Sequence, residues 1–231
     1  MKQSSIFMTG NWQDLIMSTF EVDKKILEPY LPNNTELDLF NGKALMSMVA
    51  FTFSKVKFFG YKVPFHQRFG QINFRFYVKS KIDKTKGVVF IKEFAPKPII
   101  AFIANAFYNE PYFFKKIDLK KTTNYKDLAV KYSYKNLRIE VTSKLQKLKK
   151  NAIEQFIVDR YIAFIKSYSN KTIQYKIDHK PWNVYKTESL NINKNILTLL
   201  PEKFKNAKYI SSCFVDGSYV TVQKGITQGI K

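Results

Sequence analysis

A few polar side chains stand inside apolar runs, where each could do chemistry only if its burial is compensated. Glu93 lies in Val88-Val89-Phe90-Ile91-Lys92-Glu93-Phe94, with apolar residues at both parities. Such a strand is interior, so Glu93, on the face of Val89 and Ile91, is expected as a buried carboxylate able to act as acid or base. Lys97 follows in Ala95-Pro96-Lys97-Pro98, at the start of an apolar segment. An amine held in apolar surroundings at a helix start has a depressed pKa and can form Schiff bases. The alternative is an exposed first-turn lysine, with Pro96 and Pro98 setting the helix entry. Arg160 falls inside a stripe made of Ile153, Phe156, Ile157, Tyr161, Phe164, Ile165 and Tyr168. It either snorkels to water or meets a carboxylate or a bound anion, and Glu93 is the internal partner expected.

Two further groups follow from strand parity. Asn73, Arg75 and Tyr77 alternate with Ile72, Phe74, Phe76 and Val78. Their polar face either lines a cavity or is solvated. His179 ends the row Ile173, Tyr175, Ile177, as a hydrogen-bonded core histidine or as a catalyst. The ligand-binding set expected is therefore Arg75, Tyr77, Glu93, Arg160 and His179, with Arg75 and His179 near Arg160. Any catalytic role falls to Lys97 or Glu93.

Other chemistry has little support. The chain carries no G-x-S-x-G, P-loop, G-x-G-x-x-G after a strand or H-E-x-x-H. Its single cysteine, Cys213, excludes a disulfide framework within the chain, and with two histidines no cysteine- or histidine-rich metal centre can be built. No cofactor is expected. A Cys213–His179 pair is conceivable, but Cys213 beside Phe214 and Val215 reads as a buried, inert thiol.

The elements that must position these residues read as strands and hairpins. Asp23 to Tyr30 forms helical turns stopped at Leu31-Pro32. Glu36 to Phe40, Asn41-Gly42 and Ala44 to Phe53 make a hairpin. Gln71 to Lys79 and Val88 to Phe94 are strands, and Leu128 to Tyr134 with Leu137 to Leu145 is another hairpin. Pro96 to Tyr108 is an apolar, buried helix, packed against the pocket over Ile99 to Phe107. The clearest helix is Ala152 to Tyr168, capped by Asn151 with Glu154 three residues on. Thr172 to His179 is a late strand, and Ile210 to Gln223 holds one or two strands bent at Asp216-Gly217. The class is α+β with an antiparallel sheet, in one domain over 1–231.

Charge and composition bound the partners. The chain has 231 residues with 45% apolar and 16% aromatic content, enough for one large core. The net charge of +21 comes from 35 Lys and only 4 Arg against 18 acidic residues. Sequence-reading nucleic-acid sites lean on Arg forks, so specific nucleic-acid binding is not expected. Any DNA binding would be weak, salt-sensitive and sequence-blind. No apolar run approaches the ~20 residues of a membrane span, and no signal peptide is seen, which points to the cytosol. The oligomeric state is not legible.

Several segments together resemble the uncharacterised YqjF-like family (domain of unknown function 2071). They are Gly87 to Glu93, Pro96, Ile100 to Asn105, Tyr108-Asn109-Glu110 and Tyr112. Phe74 to Val78, Phe156 to Tyr161, Asp178 to Trp182, Trp12 to Leu15, Leu31-Pro32 and Leu37-Asp38-Leu39 extend the match in order. The resemblance implies an acetoacetate decarboxylase-like fold, an antiparallel barrel or cone with a few packed helices and an interior cavity. It implies no settled activity. Decarboxylases of that superfamily carry a Glu…Pro-Lys-Lys block whose first lysine forms the Schiff base. Glu93, Pro96 and Lys97 match it by spacing, but Pro98 replaces the second lysine, and Gln71, Asn73 and Arg75 stand where a carboxylate is presented. Two functions follow as expectations. One is binding of a small apolar or anionic metabolite in the cavity. The other is a decarboxylase-like or other lyase or hydrolase reaction using Lys97 or Glu93.

Overall fold

The computed structural model describes residues 6–62, 68–95, 112–114, 117–123, 127–134, 137–167, 171–192 and 194–227. The expected helix at Ile99 to Phe107, and Lys97 with it, lies outside the described residues. What is described is mostly β. The first half holds β1 (Ile6–Glu21), α1 (Lys24–Leu27), β2 (Thr35–Leu37), β3 (Leu45–Phe58), β4 (Tyr61–Lys62), β5 (Arg68–Ser80) and β6 (Lys86–Ala95). Then follow β7 (Tyr112–Phe114), β8 (Asp118–Thr123), β9 (Asp127–Tyr134), β10 (Leu137–Leu148) and α2 (Ala152–Val158). The chain continues with β11 (Ile162–Lys166), β12 (Thr172–His179), β13 (Val184–Ile192), β14 (Lys208–Gln223) and β15 (Ile226–Thr227).

The main sheet order is β15-β12-β11-β6-β5-β3-β1-β14-β13-β10-β9-β8. β12 also pairs with β14, so the pairing returns on itself through β12, β11, β6, β5, β3, β1 and β14. The expectation of an antiparallel sheet needs one correction. β6 runs parallel to both β11 and β7. β11 comes close enough because Gly87 has no side chain; a Cβ there would sit 2.6 Å from the Ile162 carbonyl oxygen.

β1, β3 and β5 carry near-continuous apolar runs because both faces are covered. On one face Leu15, Met17, Val49, Phe51 and Tyr77 pack with Ile157 of α2. On the other, Ile16, Met48, Phe74 and Phe76 pack with Val130 and Tyr132 of β9 and Ile139 of β10.

Three expectations change. Asn41 and Gly42 do take the positive φ of a tight turn, +48° and +79°, closed by the Phe40–Lys43 bridge. Yet β2 pairs with Val78–Ser80 of β5 rather than with β3, so no long hairpin forms there. The helix starting at Ala152 has the expected capping box, with Asn151 and Glu154 bonded reciprocally at 2.9 Å, but it ends at Val158. Asp159, at φ −84° and ψ 68°, makes an inverse γ-turn in which the Arg160 N–H donates to the Val158 carbonyl at 2.9 Å. The chain then enters β11. A short strand buried on both faces has no alternation, and by periodicity it is indistinguishable from a helix stripe.

The third change is in β6. Phe74 faces Lys92 and Arg75 faces Phe90, which leaves Ile91 as a bulge. The extra residue reverses parity, so Glu93 shares the face of Val88 and Phe90, not that of Val89 and Ile91.

Candidate functional site

The polar side chains converge on the sheet face covered by α2. Register aligns Phe90, Arg75, Ser47 and Thr19 across four strands, and Glu93, Asn73, Val49, Met17 and Cys213 in the next row. Asn73, Arg75 and Tyr77 are buried, so the solvated alternative for this face is overturned.

Each polar group meets a different fate. Glu93, 3% exposed, accepts a 2.9 Å hydrogen bond from Gln71 Nε2. The Tyr77 hydroxyl lies 2.6 Å from Ser47 Oγ, which lies 2.9 Å from Thr19 Oγ1, a buried run of three hydroxyls. Burial pushes the Tyr77 phenol up, opposed by Arg75, the Ser47 hydrogen bond and Arg160. Burial also pushes the Cys213 thiol up to about 12, which makes it inert.

Arg160 is buried as expected, but its partner is not Glu93. Its Nη1 donates to Asp38 Oδ2 at 2.7 Å and its Nε donates to the Phe156 carbonyl at 2.7 Å. Its guanidinium carbon stands 4.3 Å from the Phe156 ring centroid and 5.2 Å from that of Tyr77. Asp38 is fixed in turn, since its N–H donates to the Tyr77 carbonyl at 3.0 Å. The γ-turn after α2 aims Arg160 at the β2 side, while Glu93 sits on the row of Asn73, two residues along β5 from Arg75. Asp38 was not singled out by sequence, although a carboxylate between Leu37 and Leu39 in an alternating segment was a usable signal.

Arg75 is different. It is 5% exposed, and its Nη2 donates to the Ile157 carbonyl at 2.9 Å. Its Nε is buried without a hydrogen-bond partner, and so is Asn73 Oδ1 on the same face. No carboxylate among the described residues pairs with Arg75. Buried guanidinium groups ordinarily find an anion.

His179 lies in an aromatic stack, close enough to both arginines that the Arg75 charge and the Arg160 backbone act on it. It lies between Tyr161, at 4.6 Å, and Trp182, at 3.9 Å and 15° between planes. Trp12 extends the stack, 5.9 Å from Trp182 and 5.2 Å from Phe51. His179 Nδ1 is 2.8 Å from the Lys180 carbonyl oxygen, while its Nε2 and Trp12 Nε1 are buried without partners. Burial lowers the His179 pKa, and the Arg75 charge adds to this.

An uncharacterized protein, YqjF of Bacillus subtilis (strain 168), is 26% identical over 202 residues, covering 83% of this chain and 80% of YqjF. An acetoacetate decarboxylase from Legionella pneumophila superposes with a TM-score of 0.63 at 13% identity, over 96% of this chain and 86% of that one. The enduracididine biosynthesis enzyme MppR complexed with pyruvate gives 0.64 at 11% identity, over 98% and 91%. An acetoacetate decarboxylase-like enzyme from Sphingomonas wittichii RW1 gives 0.62 at 10% identity, over 96% and 92%. These likenesses show an acetoacetate decarboxylase-like fold. The family model DUF2071, an uncharacterized conserved protein, matches residues 9–210, and the chain belongs to that family.

Proposed function

We propose that the face built on Asn73, Arg75, Tyr77 and Glu93 binds a small anionic metabolite, a carboxylate foremost, in the interior of a cone closed by the β12–β14 pairing. The observation that carries this reading is the buried guanidinium of Arg75, with an unpartnered Nε and no carboxylate paired to it. A ligand carboxylate supplies what the described protein groups withhold, because Asp38 is committed to Arg160 and Glu93 accepts from Gln71. MppR, a similar fold, is complexed with pyruvate, which supports an oxoacid as first probe. Binding takes place in one cytoplasmic domain and needs no cofactor or nucleic acid. Isothermal titration with pyruvate and acetoacetate tests it. Arg75→Met is expected to weaken binding about 10- to 100-fold, the worth of a hydrogen bond to a charged group. Unchanged affinity in that variant would reject the assignment.

A second reading, an enzyme using Lys97 or Glu93, rests on the buried carboxylate of Glu93 and the decarboxylase-like fold. Pro98 removes the neighbouring cation that would depress the Lys97 pKa, so Lys97 is expected to form no Schiff base. Incubation with acetoacetate and borohydride should leave the protein mass unchanged. A stable adduct mapped to Lys97 would establish the enzymatic reading instead.

A further inference from the structure

One end of the molecule combines exposed rings, unopposed lysines and a strained turn. β3 and β4 form a hairpin in which Lys57 faces Lys62 and Phe58 faces Tyr61. Its two turn residues, Phe59 and Gly60, both have positive φ, +49° and +87°. That is the I′ pattern, which Asn, Asp and Gly fill easily and a bulky ring fills under strain. Phe59 is nonetheless 45% exposed and Tyr61 79% exposed. Phe59 leans on Phe7, with ring centroids 5.2 Å apart, and Lys224 Nζ lies 5.3 Å from its ring centroid. The start of β1 and the end of β14 join the same end, with Ile6 opposite Gln223 and Met8 opposite Phe58. Ile6 is exposed as well.

The charge of this end has one sign. The segments 6–11, 53–62 and 219–227 contain no Asp or Glu, but they carry Lys55, Lys57, Lys62 and Lys224, all exposed. The neighbouring carboxylate of Asp178 is occupied by Gln223 and Lys176. A bulky residue held in left-handed backbone at an exposed turn is a reason to look for a role besides folding. Exposed rings ringed by lysines match a phospholipid headgroup layer, where aromatic side chains settle at the interface and each lysine gains from anionic lipid.

We propose that the Phe59-Gly60-Tyr61 hairpin tip docks the protein peripherally on an anionic phospholipid bilayer, with Phe59, Tyr61 and Ile6 entering the interface and the four lysines meeting lipid phosphates. The protein lies on the bilayer without spanning it. Charge alone would draw the chain to any polyanion, so the rings are the discriminating feature.

Co-sedimentation of the full chain with phosphatidylcholine–phosphatidylglycerol vesicles, and with pure phosphatidylcholine vesicles, tests the proposal at about 150 mM salt. Binding is expected to the anionic vesicles only. In the double variant Phe59→Asn, Tyr61→Ser, partitioning should fall about tenfold as buried ring area is lost. Asn accepts positive φ, so the hairpin should persist and the melting temperature should hold. Lys57→Gln, Lys62→Gln provides a second variant with the rings intact, expected to lose binding in a salt-dependent way. Absence of binding to the anionic vesicles would overturn the proposal. So would binding that the ring variant leaves unchanged, or a preference for duplex DNA over the vesicles that ignores the tip.

Discussion

Two arginines lie buried beside Tyr77, and they have opposite surroundings. Arg160 has a carboxylate, a carbonyl and two ring faces, so its charge and most of its donors are met within the protein. Arg75 has one carbonyl, the Tyr77 hydroxyl beside it and an unpartnered Nε. A satisfied buried charge holds its surroundings together, whereas an unsatisfied one costs stability and calls for an explanation. Arg160 is a strut, which ties the segment after β2 to the end of α2, whereas Arg75 stands on the sheet without a carboxylate among the described residues. The other face of the same sheet is an apolar core of Phe74, Phe76, Val130 and Tyr132, with Lys92 at its border donating to the Leu199 carbonyl.

Breaking the strut should have the largest effect. Arg160→Met strands the Asp38 carboxylate, and urea denaturation should show a loss of about 3–5 kcal/mol. A companion Asp38→Leu change in the same protein should recover most of it, since an apolar pair can replace a buried ion pair. A loss below about 1 kcal/mol in the single variant would mean that Arg160 reaches water in solution. The equivalent change at the other arginine, Arg75→Met, should shift stability by less than about 1 kcal/mol, because it removes an unmet donor along with its hydrogen bond to the Ile157 carbonyl. If both arginines cost the same, the distinction between them fails.

Cys213, in the row of Asn73, reports how tightly the face is closed. With its thiol pushed up to about 12 by burial, it should resist a thiol-disulfide reagent at pH 8 and react once urea unfolds the chain. Rapid labelling of the folded protein would mean that the face opens to solvent. The smallest effect concerns His179. Its folded pKa lies below the unfolded value near 6.5 because burial disfavours the imidazolium. Above that pH both states are neutral. As pH falls below about 6.5 the unfolded state takes up more protons, so stability declines until the folded pKa is passed. His179→Phe should flatten this slope between pH 7 and 5, and an unchanged slope would assign it to other groups.

Much of the local structure could be read before any fold was known. The Asn151–Glu154 capping box, the Asn41-Gly42 turn and the β12 limits of Thr172 and His179 depend on contacts within a few residues, where cap chemistry and period 2 act directly. The interior position of Glu93 also followed, because apolar residues at both parities leave no solvated side. What the sequence could not decide is which charges meet. Asp38 and Arg160 are 122 positions apart, and their meeting depends on where α2 stops and how β2 pairs with β5. The Ile91 bulge likewise sets Glu93 facing Val88's side, and nothing in an apolar run marks the inserted residue. Periodicity fixes the faces of a strand or a helix only while it continues unbroken. Its interruptions are chosen by long-range packing, and here they determine that Arg160 meets a carboxylate while Arg75 keeps an unpartnered Nε.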